Sequence, residues 1–262
     1  MDREHWKKQD PSKPLFEALI WSRPENRSYA GKLLIIGGNA QGFAAPADAF
    51  ARANKAGIGT ARVLLPDALQ KSVGRVFEAG EYAPSTPSGS FAQKSLAEVL
   101  AMAHWADGVL LAGDLGRNSE TAILIEKFLS KYSGQVTLTK DAIEYVSSQP
   151  QLVANRSETL LVLSFSQLQK FAVSFKFPQA FTSTMDLPKA VDALARLTTD
   201  TPLAIITRHM DRYIVAVNGE VSTTPCAVEE RIWRLKAASS ASVWWLQNPT
   251  KPFEALTTSL VA

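Results

Sequence analysis

The stretch from Gly31 to Pro66, GKLLIIGGNAQGFAAPADAFARANKAGIGTARVLLP, constrains the fold more than any other part of the chain. An apolar, partly β-branched run, Leu33 to Ile36, leads into a glycine turn from Gly37 to Gly42. Ala44 to Ala56 then reads as an alanine-rich helix, with Pro46 in its first turn and Gly57 as its stop. A second apolar run, Ala61 to Leu65, closes the unit before Pro66. Strand, turn, helix and strand in about 30 residues form a βαβ unit, which implies a parallel sheet. Glycines let backbone approach a ligand closely, and the free amides of the helix start behind them favour an anion. A glycine-rich connection that only makes a tight turn is the alternative. The spacing GGNAQG is not GxGxxG, so the dinucleotide fingerprint is absent.

The same alternation continues along the chain. Leu15 to Trp21 reads as a short helix, and Asp67 to Phe77 carries Leu69, Val73 and Val76 at helical spacing. Glu81 to Gly89 reads as a loop and Ser95 to Trp105 as a helix. Ala106 to Arg117 is a strand entering a second glycine turn, Gly113 to Gly116, before a helix Glu120 to Tyr132 capped by Asn118 or Ser119. Strands follow at Gln135–Thr139 and Thr159–Leu163, with a helical piece at Ala142–Val146 between them. Next come a helix Gln167–Phe171 capped by Ser164 or Ser166, a helix Asp186–Leu197 and a strand Leu203–Thr207. Asn218-Gly219 joins Tyr213–Val217 to Val221–Thr224 as a hairpin, and helices Ala227–Leu246 and Pro252–Leu260 close the chain. The pattern predicts one doubly wound α/β domain over residues 1–262, with 1–14 as a flexible arm. Ligands of such a sheet bind at the C-terminal ends of its strands.

Composition narrows the function classes. A chain of 262 residues that is 46% hydrophobic can bury one large core. A formal charge of +3, with no basic run interleaved with aromatics, argues against nucleic acid as a partner. Cys226 is the lone cysteine, so no internal disulfide framework exists. No apolar run reaches the ~20 residues of a membrane span, and the start MDREHWKKQDPSK has no apolar signal core, so a cytoplasmic protein is expected. No His/Cys/Asp cluster has ligand spacing, and no metal centre is expected. His5, His104 and His209 fall in a tail, a helix and a strand-end loop. Asp114 stands where a site carboxylate should stand, or organises its own loop as an Asx-turn. Arg208 and Arg212 either hold a phosphate or lie on the surface, while Glu229, Glu230, Arg231 and Lys236 fit a solvated helix face. Trp233, Trp244 and Trp245 read as core or interface anchors, and Trp6, Phe16 and Trp21 in one short segment point to a homo-oligomer.

Together these segments resemble the ADP/ATP-dependent NAD(P)H-hydrate dehydratases of the ribokinase-like superfamily. The buried strand Leu33–Ile36, the turn Gly37-Gly38-Asn39, Gly42, Ala44-Ala45 and the run Gly57 to Val63 carry the first match. Ala106-Asp107-Gly108-Val109 through Leu115-Gly116-Arg117 is similar to the family's "aDavviGPGLGR", and Leu203 to Gly219 to its later strand and hairpin. The resemblance implies a ribokinase-like three-layer αβα fold with a mainly parallel central sheet. It implies ligand contacts at Gly37, Gly38, Asn39, Gly42, Ala45, Gly113, Asp114, Gly116, Thr207 and Arg208, with ADP or ATP, and Mg²⁺ alongside, as ligand. The departures fall on the chemistry. The "GPG" turn reads Ala112-Gly113-Asp114, "DADAL" reads Thr139-Lys140-Asp141-Ala142-Ile143, and "HPGE" reads Ser164-Phe165-Ser166-Gln167. The "GTGD" loop falls near Arg234-Leu235-Lys236, which puts Lys236 near the catalytic aspartate's position, and no glycine follows Gly219. A catalytically impaired, ligand-binding homologue is therefore expected. The alternatives are an active dehydratase with Glu230 or Asp114 as substitute acid, and a ribokinase-like small-molecule kinase.

Overall fold

The computed structural model describes residues 3–75, 77–227 and 232–262. Ten strands form one sheet: β1 (Trp6–Lys8), β2 (Lys32–Gly37), β3 (Thr60–Pro66), β4 (Gly80–Ala83), β5 (Gly108–Gly113), β6 (Gln135–Thr139), β7 (Thr159–Val162), β8 (Leu203–His209), β9 (Arg212–Val217) and β10 (Glu220–Pro225). Their order is β1-β10-β9-β8-β7-β6-β5-β2-β3-β4, and β9 alone runs against the rest. The helices are α1 (Glu17–Trp21), α2 (Ala44–Lys55), α3 (Gln70–Val73), α4 (Leu96–Trp105), α5 (Ser119–Lys131), α6 (Ala142–Ser147), α7 (Gln151–Ala154), α8 (Phe165–Ser174), α9 (Leu187–Asp200), α10 (Trp233–Gln247) and α11 (Pro252–Thr258). This is the three-layer α/β arrangement expected of the βαβ pattern.

The inner strands are apolar on both faces because helices cover both. Along β2, Leu34 and Ile36 join one core with α4, α5, α6, α8 and α9. Leu33 and Ile35 join the other with α2, α10 and α11. Each such fully buried aliphatic side chain contributes about 1.5–3 kcal/mol. No described helix is long and apolar enough to cross a membrane.

Local chemistry explains the boundaries. The Asn118 side chain accepts from the Glu120 and Thr121 amides to start α5, and Asp186 accepts from Lys189 to start α9, with Pro188 in its first turn. Asn218 and Gly219 both take positive φ, 49° and 83°, as a two-residue hairpin turn requires.

Four expectations need correction. Within the expected arm, residues 3–14 are not loose. Trp6–Lys8 pairs in parallel with β10, and the buried Gln9 amide donates to the Thr257 carbonyl at 2.8 Å. The stretch expected as a loop from Glu81 begins as edge strand β4, held against β3 by backbone pairing that its short GEYA run does not advertise. The helix expected over Asp67 to Phe77 is reduced to a 3₁₀ turn at Asp67–Leu69 and one turn of α3; Val76 lies outside the described residues. His209 is the last residue of β8, 4% exposed, stacked on Phe165 with ring centroids 4.2 Å apart. It is a packed residue and not a solvated loop histidine.

Candidate functional site

The strand order reverses between β2 and β5, and ligands of doubly wound sheets bind beyond the strand ends at such a point. Both glycine turns meet there. Gly37 pairs with Gly113, and the Gly38 amide donates to the Gly113 carbonyl at 3.1 Å. A Cβ at Gly37 would collide with that carbonyl oxygen, so this glycine is required by the neighbouring strand itself. The Asn39 side-chain amide donates to the Asp114 carbonyl at 2.6 Å, and its carbonyl accepts from Gln41. Gly42 faces open space. Gly37, Gly38, Asn39, Gly42, Ala45, Gly113, Asp114 and Gly116 thus form one rim.

Three amides at that rim are held by the chain's own carboxylates. Asp114 Oδ2 accepts from the Ala45 amide at 2.7 Å, at the start of α2. Its Oδ1 pairs with Lys140 Nζ at 2.7 Å. Asp141 Oδ2 accepts from the Leu115 and Gly116 amides at 2.8 and 3.2 Å. Asp114 therefore does more than turn its own loop: it joins β5, α2 and the end of β6. Asp114 and Lys140 both take left-handed backbone, φ 56° and 54°.

Burial raises the pKa of Asp141 above the ordinary carboxylate value, and the charge of Asp114 adds to the rise; hydrogen bonds from the amides oppose it. Its Oδ1 is buried with no hydrogen-bond partner. Tyr145 closes the second turn by donating to the Gly116 carbonyl at 2.6 Å, and burial raises the pKa of its phenol.

Behind the rim, Gln167 ties the next three elements together. With Ser164 it forms a capping box that starts α8. Its side-chain amide donates to the Lys140 carbonyl at 2.9 Å and to Glu144 at 3.0 Å. Its Oε1 accepts from Arg234 Nη1 at 2.7 Å. Arg234, in the first turn of α10, has its pKa lowered by burial, with Glu144 and Asp141 opposing the shift.

Lys236 is not in this crevice. At about 100° per residue it lies some 200° round α10 from Arg234. It is exposed and lines a separate hollow of about 280 Å³ with Pro11, Tyr213, Ser240 and the last residues. Arg234 is the α10 residue that reaches the site. Thr207 and Arg208 lie at the same end of the sheet, but β8 is three strands from β5, about 14 Å at ~4.8 Å per strand. Thr207 is fully buried with its hydroxyl unpartnered, and Arg208, by strand alternation, faces the α10 side. Neither is brought against the glycine turns. Glu229, Glu230 and Arg231 lie outside the described residues. Among the described residues no group of His, Cys, Asp and Glu is arranged to hold a metal ion.

Lys140, Asp141, Gln167 and Arg234 are the site residues that spacing alone does not reveal. The resemblance points to their stretches, as the counterparts of "DADAL", "HPGE" and "GTGD", and the S-x-x-Q capping signature at Ser164–Gln167 is a local signal for one of them.

No protein-family model matches the chain, and no curated protein matches it in sequence. Solved structures do. A ribokinase-like superfamily protein from Enterococcus faecalis aligns at TM-score 0.74 and 14% identity, over 100% of this chain and 87% of that one. A hypothetical protein from Streptococcus mutans aligns at 0.67 and 14%, over 94% and 85%. An ADP/ATP-dependent NAD(P)H-hydrate dehydratase from Bacillus subtilis, co-crystallised with ATP and Mg²⁺, aligns at 0.61 and 13%, over 94% and 86%. The chain is thus similar along nearly all its length to proteins of one architecture, and its fold is ribokinase-like.

Proposed function

We propose that this chain is a divergent, catalytically impaired member of the NAD(P)H-hydrate dehydratase family that keeps the crevice as a small-molecule site. The motif resemblance and the shared fold support the family. One observation carries the impairment: the Asp114 carboxylate, standing where the family's "GPG" turn has glycine, sits on the Ala45 amide. Preorganised amides stabilise developing phosphate charge only when they are free to meet it, and losing one donor of such a site typically costs ~10²–10³ in rate. At the glycine turns the seated Asp114 carboxylate does not fit a nucleotide's phosphates. The absence of glycine after Gly219 adds to this, because a backbone cradle at the start of α10 has no residue that permits close approach.

The test is a direct assay following the hydrate's absorbance with purified protein, ADP or ATP, and Mg²⁺. The expected result is no loss of hydrate above the uncatalysed rate. Turnover on the order of the ~10 s⁻¹ typical of enzymes overturns the reading. We also propose self-association. Phe16 packs edge-on against Phe253 and Trp6 bonds to Thr223, but Trp21 remains 86% exposed and Tyr29 80% exposed. A monomer by light scattering at micromolar concentration would remove that part.

A further inference from the structure

We propose that the hollow between the end of α5 and the start of β7 is a second binding site, for a small doubly charged oxyanion such as phosphate. It lies at the far end of the sheet from the crevice and does not depend on the function proposed there.

The hollow measures about 270 Å³ and is lined by residues 129–133 and 155–157. β6 and β7 begin beside it, at Gln135 and Thr159. The crevice lies beyond their other ends, about 16 Å away along five-residue β6 at ~3.3 Å per residue. Two cations line the hollow, Lys131 and Arg156, together with the hydroxyls of Ser130, Ser133 and Ser157 and the amide of Asn155. Among the described residues no carboxylate lines it, and neither cation stands in an ion pair. The acid that acts on Arg156 is Glu158, which is exposed and outside the lining.

Arg156 is held in place by backbone. Its Nη1 donates to the Tyr132 carbonyl at 2.7 Å and its Nη2 to the Gly134 carbonyl at 2.9 Å. These bonds occupy carbonyls just beyond α5, whose negative end would otherwise repel an anion. Carbonyl dipoles hold the guanidinium without cancelling its charge, and its Nε is buried with no hydrogen-bond partner. Burial lowers the pKa of Arg156, with Tyr132 and Glu158 opposing the shift. Arginine does not give up its proton in proteins, so the hollow keeps a half-buried positive charge that a bound anion offsets. Lys131, exposed at the end of α5, supplies a second charge on a mobile stem. Two positive charges match a dianion. The hydroxyls and the Asn155 amide can donate to its remaining oxygens.

A helix cap needs Arg156 but not Lys131, and this separates the two roles. Inorganic phosphate is titrated against chloride at constant ionic strength into ¹⁵N-labelled wild type, Lys131→Gln and Arg156→Gln. Binding is read at the backbone amides of Lys131, Ser133 and Ser157 and at the Arg156 Nε–H signal. Lys55→Gln, an exposed change at the end of α2 on the opposite face of the sheet, controls for general loss of positive charge. Circular dichroism establishes that each variant is folded.

In wild type and K55Q the signals are expected to move together and saturate, with a Kd on the order of 1 mM or below. K131Q keeps the cap and should bind at least about tenfold more weakly, as the loss of a charge-assisted contact implies; R156Q should lose binding. Glycerol 3-phosphate, titrated in the same way, identifies the occupant: tighter binding than inorganic phosphate points to a phosphomonoester, weaker binding to free phosphate. The absence of saturating shifts in wild type at about 20 mM phosphate overturns the proposal. So does wild-type affinity in K131Q, which decides the matter by itself if R156Q does not fold.

Discussion

Gln167 shows how much of the site rests on one side chain. It is 7% exposed and bonds to Ser164, Lys140, Glu144 and Arg234. Gln167→Ala removes the donor of the Lys140 carbonyl and the acceptor of the Ser164 amide, and leaving such groups unpaired costs about 1–3 kcal/mol. Urea unfolding is expected to show a loss in that range. Asp141 makes a second residue-scale prediction, through pH. Its folded pKa is raised above the ordinary value of 3.8, chiefly by burial. A raised carboxylate favours the folded state fully below the unfolded pKa and loses that contribution as pH rises through the folded one. Asp141→Asn cannot titrate. The melting temperature of wild type minus that of D141N is therefore expected to fall as pH rises from about 4; a rise over that window would show that the amide bonds outweigh burial. The glycine turns and Asp114 stand out from the chain's own pattern, whereas Asp141, Gln167 and Arg234 are marked only through the resemblance, in the stretches that stand in for the family's motifs. A glycine turn leaves a local signature, whereas a hydrogen bond between residues 67 positions apart, such as Gln167 to Arg234, leaves none.

At the scale of elements, legibility followed the strength of local signals. The βαβ unit, the Asp186 cap and the Asn218-Gly219 turn each carry their cause within a few residues, and their helices and strands lie where expected. The turn between β8 and β9 has no such mark. Met210 takes φ 54° there without glycine or asparagine to announce it. Strand β1 was missed for a different reason: three residues with flanking charges read as a tail, and only the open edge of β10 gives them a partner. Its anchoring is substantial. Trp6 donates to Thr223 at 2.9 Å, Arg3 grips Asp192 with two nitrogens, and the buried Gln9 amide reaches Thr224 and Thr257. Deleting residues 1–9 is expected to destabilise the protein by about 2–4 kcal/mol, from lost apolar burial and hydrogen bonds. It should also raise light scattering at high concentration, because β10 becomes an unpaired edge. A flexible arm would change neither measurement.

At the scale of the molecule, binding and turnover are separable, because different parts of the chain govern them. The rim is built by β2, β5 and β6, while the far side of the crevice belongs to the start of α10. Asp114→Gly changes only the first. It frees the Ala45 amide and releases Lys140 from its ion pair, which leaves an amide and a cation facing one anion position. It supplies nothing at α10, where Arg234 and Leu235 stand and no glycine follows Gly219. It supplies no acid to move a proton, and general acid–base catalysis typically contributes 10²–10⁴-fold. D114G is therefore expected to gain pyrophosphate binding and to remain inactive on hydrated NADH with ATP and Mg²⁺. The same preparation should be split between a pyrophosphate titration read at the Ala45 amide and the absorbance assay. If D114G gains binding and turnover together, the proton-transfer group is already present elsewhere in the crevice. The carboxylate left at the rim would then be Asp141, and the double variant D114G/D141N would be expected to bind but not turn over.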